Sequence, residues 1–180
     1  MDRDFLIKEL QDRTDDSCIE QYILENWQKC SYTRNNELIT GVKFSENIFI
    51  FLEEIGELLY ELDNINQLQP LSILGLEEEI ADNWICLDIC LGYLGVDTVT
   101  LNLYKTISTT HPTKCLLQLH KVISKYLRRK CCTNDLLEYL RFIPNALEQI
   151  EEAYNIDHSV ICNIMAIKVE QFQAKCISSK

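Results

Sequence analysis

The sequence is short of the residues that interrupt helices: 5 glycines and 3 prolines in 180 positions. That scarcity argues against a turn-rich β architecture. No run of about 18 uncharged apolar residues occurs, so no transmembrane helix is expected. The opening stretch, MDRDFLIKELQDRTDD, is charged throughout and lacks the apolar core of a signal peptide. A cytoplasmic protein is therefore expected. Cationic charge is also scarce, with a net charge of −11. A phosphate backbone needs clustered cations, so a nucleic-acid binder is not expected. Nine cysteines are present, yet no CxxC pair. The odd count and the absent metal spacing point to reduced thiols packed as small hydrophobes.

What is present is apolar patterning. Hydrophobic residues make up 47% of the chain, enough for one folded domain with a core, 1–180. The apolar period is helical wherever it can be followed, and no strand is expected. Helices are expected at about 17–30, 45–63, 73–94, 97–108, 114–129, 134–154 and 158–175. Ser45 and Thr133 are the expected N-caps of two of them. The fold class expected is all-α, a helical bundle.

Charge divides the chain unevenly. Residues 1–112 carry 21 acids against 7 bases, whereas residues 113–180 carry 7 against 10. A faint internal echo accompanies the split. YLGVDTVTLNLYK and AYNIDHSVICNIMAIK each end one helix and begin another, and Glu79 and Asp82 fall opposite Glu138 and Arg141. Two helical hairpin units are expected, the second poor in acids.

The helix FLEEIGELLYELD puts Glu53, Glu54, Glu57 and Glu61 within roughly 100° of arc. Alone, this is an ordinary wet face. The next helix, ILGLEEEIADNWICLDICLGYL, is apolar over most of its circumference, as a central helix would be. Glu79 and Asp82, spaced i,i+3, nevertheless share one side of it. Buried carboxylates need compensation, and residues 44–100 contain no Lys or Arg. A hard divalent cation is the better counter-charge. Carboxylates on facing helices can build such a site.

EEIGE, 21 residues, then EIAD resembles the EExxE…ExxD signature of the MazG-like all-α nucleoside triphosphate pyrophosphohydrolases, which include the dimeric dUTPases. The continuation ICLDICLGYLGVD resembles the same family. The likeness is good over about residues 44–108 and loose elsewhere. It implies a four-helix MazG-like core, with residues 17–108 as the catalytic unit and 113–180 as a degenerate second unit packed on it. It implies hydrolysis of a nucleoside triphosphate, dUTP- or dCTP-like or non-canonical, to the monophosphate and pyrophosphate. Glu54, Glu57, Glu79 and Asp82 would hold Mg²⁺, with Mn²⁺ a possible substitute. Glu53 and Glu54 would carry the catalytic work on water. Lys105 and Asn102, after the Gly-x-Asp turn, would meet substrate. Trp27 is a base-contact candidate, and Lys125 and Arg128 a phosphate-side wall. Trp84, opposite Glu79 and Asp82 on the wheel, is expected in the core. A homodimer is expected, without membrane or nucleic-acid partners. The competing reading is a non-catalytic MazG-like interaction or oligomerisation protein. A carboxylate-bridged di-iron bundle needs Glu-x-x-His pairs, and the sequence has none.

Overall fold

A computed structural model describes residues 44–66, 73–94 and 111–178. They form six packed α-helices and no strand. These are α1 (Phe44–Asn66), α2 (Ile73–Tyr93), α3 (Pro112–Leu127), α4 (Thr133–Leu140), α5 (Ile143–Tyr154) and α6 (His158–Ser178). The expected helices at 17–30 and 97–108 lie outside the described residues. Among the described residues no helix is long and apolar enough to cross a membrane.

The order of packing follows from how apolar each helix is. α1 buries Ile48, Phe51, Ile55, Leu58 and Leu62, a stripe at intervals of three and four. α2 is buried at every position from Ile80 to Leu91 except Asp82, so it takes the centre. It packs against α1 on one side, against α6 on another, and touches α5. α3 covers the other side of α1 and also packs on α4 and α5. Asn83 meets Glu54, whereas Glu79 faces Glu57 and Glu61. α1 and α2 therefore run antiparallel.

Three local expectations need correction. The helix foreseen at 134–154 is two, because Pro144 has no N–H and its ring clashes with the carbonyl of Leu140. α4 ends at Leu140, and Pro144 sits in the first turn of α5. The cap of α4 is Cys132 rather than Thr133: the Cys132 N–H donates to the Asp135 carboxylate at 2.8 Å. Ser45 lies within α1 rather than before it.

The C-terminal half is joined to α2 by a buried carboxylate that sequence reasoning did not anticipate. Glu151 is 4% exposed. One of its oxygens accepts the Trp84 indole N–H at 2.9 Å, and the other lies 2.7 Å from His158 Nδ1. Trp84 and His158 also meet edge to face, with centroids 5.8 Å apart. The turn after α5 makes this possible. Asn155 adopts a left-handed conformation (φ 55°), and the Ile156 N–H reaches back to the Glu151 carbonyl at 2.9 Å. The chain reverses there and starts α6 at His158, over Glu151. Trp84 itself is 1% exposed, in the core as expected. Cys86, Cys90 and Cys162 are buried free thiols.

Candidate metal centre

The antiparallel pairing of α1 and α2 brings two halves of the acidic pattern face to face. Glu54 and Glu57 are one turn apart on α1, with Glu79 opposite on α2. One carboxylate oxygen from each lies within 4.8 Å of the others. Glu57 is exposed, and Glu54 and Glu79 are half-buried. Asp82 is half-buried and close enough to disfavour charge on both Glu54 and Glu79. Glu53 is exposed and stands outside the three-glutamate cluster.

Asn83 fixes the helix pair at this level. It is fully buried, and its amide donates to the Glu54 carbonyl at 2.9 Å and to the Glu79 carbonyl at 2.8 Å. A one-residue shift between the helices would break the first of these bonds. Asn83 stands one turn after Glu79 on α2. Its bridging role depends on a partner backbone 29 residues away.

The electrostatics are those of crowded like charges. Burial, then Asp82, Glu57 and Glu79, push the Glu54 carboxyl up to about 7; Lys168 opposes them. Burial, then Glu57 and Asp82, push Glu79 up to about 7, again against Lys168 and with a smaller push from Glu61. Near neutral pH each of these groups gains from a proton or a cation. Glu79 Oε2 is buried and takes no hydrogen bond among the described residues. Three converging carboxylates, with the buried Glu79 Oε2 lacking a donor, fit a divalent oxygen-seeking cation such as Mg²⁺ or Mn²⁺.

Lys168 corrects one step of the sequence argument. No basic residue lies near the acids in sequence, but α6 brings one to them in space. The Lys168 ammonium forms an ion pair with Asp82 Oδ2, across 86 positions. Both side chains are partly shielded from solvent. Lys168 thus brings a basic group of the C-terminal half to the acids. Lys125 and Arg128 are both exposed near the end of α3. There Lys125 acts on Asp135 and Cys131, and the Arg128 Nε–H donates to the Ser124 carbonyl. Trp27, Asn102 and Lys105 lie outside the described residues.

The described helices and this acidic centre define an all-α protein with a carboxylate cluster between its first two described helices. Comparison with protein-family models, curated proteins and solved structures returns no match.

Proposed function

We propose that the chain is an Mg²⁺-dependent nucleoside triphosphate pyrophosphohydrolase of the MazG-like kind, releasing pyrophosphate and a nucleoside monophosphate. The observation that carries this reading is the convergence of Glu54, Glu57 and Glu79, with Asp82 beside them, on two antiparallel helices. These are four of the five acids of the EExxE…ExxD pattern. In this reading the four hold the cation. A cation there neutralises triphosphate oxygens and acidifies a bound water.

The chain's own residues supply the rest. Asn83 holds the two ligand helices in register. Glu53, exposed one position before Glu54, is free to orient water or accept its proton. Lys168 offers a cation on the side of Asp82. The substrate class that suits the motif is a (deoxy)nucleoside triphosphate, dUTP- or dCTP-like or non-canonical. The C-terminal helices serve as the acid-poor second unit: where α2 carries Glu79 and Asp82, α4 carries Glu138, paired at 3.0 Å with Arg141 just beyond its end. A cytoplasmic homodimer is part of the same reading.

The Lys168–Asp82 pair favours one alternative, a non-catalytic MazG-like interaction or oligomerisation protein whose acids are neutralised internally. A panel of standard and modified nucleoside triphosphates incubated with Mg²⁺ separates the two. Pyrophosphate as the primary product supports the enzyme. Orthophosphate as the primary product contradicts the reaction class, and no release from any nucleotide favours the alternative.

A further inference from the structure

The acidic centre contains four carboxylates, but they are not equivalent. Glu54, Glu57 and Glu79 converge on one another, whereas Asp82 is engaged by the Lys168 ammonium. The engagement is specific. Lys168 is carried by α6, the helix packed against α2 on the Asp82 side. Its side chain is only 29% exposed and that of Asp82 25%, so both are held partly out of water. An ion pair so placed keeps more of its strength than one at an open surface.

We infer that Lys168 is a latch on Asp82: it withholds the fourth carboxylate from the three-glutamate cradle, and a divalent cation recruits Asp82 only by displacing the ammonium. The inference rests on the cation-binding reading above and concerns how that site is regulated. Two cations competing for one carboxylate are thermodynamically linked, so whatever holds Lys168 in place weakens the metal, and the metal loosens Lys168 by the same factor. Because Lys168 belongs to α6, the position of that helix sets the affinity of a site built by α1 and α2. The acid-poor half thereby gains a role that does not depend on ligands of its own.

A double-mutant cycle on the full chain tests this, with Mn²⁺ binding followed by the paramagnetic resonance signal of the free ion. Four chains are compared: wild type, Lys168→Gln, Asp82→Asn and the double variant. Lys168→Gln should tighten Mn²⁺ about tenfold, within the usual range of site-to-site coupling. In the Asp82→Asn background the same lysine substitution should change affinity by less than about twofold, because the partner through which it acts is gone. Lys168→Met, which keeps the aliphatic stem, replaces Lys168→Gln if circular dichroism shows the latter unfolded. Equal affinity in wild type and the lysine variant overturns the latch and leaves the metal site standing. So does a tightening that persists undiminished without Asp82, since it would report general charge rather than the pair. Absence of Mn²⁺ binding in all four chains overturns the metal reading and the latch together.

Discussion

The α1–α2 pair and the helices after residue 111 solve the problem of buried acid in opposite ways. Between α1 and α2, three glutamates face one another and Asp82 leans on a single lysine from elsewhere in the chain. In the C-terminal half, the buried Glu151 is satisfied within its own surroundings by an indole N–H and an imidazole nitrogen. One arrangement leaves carboxyls pushed up to about 7. The other uses both carboxylate oxygens in hydrogen bonds, as a structural network does. The contrast separates a carboxylate whose hydrogen bonds are met within the chain from carboxylates crowded against one another.

Substitutions on the two sides should therefore fail differently. The largest stability loss is expected from Trp84→Ala. It empties a fully enclosed site, for about 3–5 kcal/mol, and also removes the Glu151 donor. A thermal or denaturant melt reads this directly, and a cost under about 1 kcal/mol would refute the central position of α2. Asn83→Ala comes next. It deletes one hydrogen bond from α2 to the Glu54 carbonyl of α1 and a second to the Glu79 carbonyl within α2, and about 1–3 kcal/mol is expected. Unlike Trp84→Ala, it should also weaken Mn²⁺ binding in material that remains folded, because Glu54 and Glu79 lose their register.

The pH dependence sharpens the comparison further. Glu54 and Glu79 rise from an ordinary 4.5 to about 7 in the folded chain. A raised pKa means the fold binds protons more tightly than the unfolded chain does. Their contribution is full below about 4.5 and is lost as pH rises toward 7. Without divalent cation, the melting temperature should fall between pH 5 and 8; saturating Mg²⁺ should flatten the fall, and Glu54→Gln should reduce it. A melting temperature that rises across this window without cation would contradict the crowding described. The smallest effect is a gain. Gly56 lies in mid-helix, exposed, with nothing within 4 Å of where a Cβ would stand. Gly56→Ala should stabilise by about 0.5–1 kcal/mol, measurable as a raised melting temperature.

Helical class, the central place of α2 and the apolar face of α1 were legible because each depends on a local period. Glu53, Glu54, Glu57 and Glu61 were legible as one face of α1, and Glu79 and Asp82 as one side of α2, whereas the approach of Glu54, Glu57 and Glu79 depends on the antiparallel pairing of the two helices. Lys168 was not legible. Residues 44–100 hold no Lys or Arg, and the lysine lies 86 positions beyond Asp82 on another helix. Glu151 was hidden for the same reason: its partners come from α2 and from the start of α6. The break at Pro144 was legible in principle, since a proline inside a helical period ends the helix shortly before it. The apolar run across LRFIPNAL masks it.

The most direct test of the central claim is Mg²⁺-dependent pyrophosphate release from nucleoside triphosphates by wild type and by Glu54→Gln, with folding of both verified. Wild type should release pyrophosphate from at least one nucleotide. The variant, which keeps the shape of the side chain and loses its charge and basicity, should lose about 100-fold or more of that activity. Equal pyrophosphate release by the two proteins, or release that persists without divalent cation, would contradict the claim.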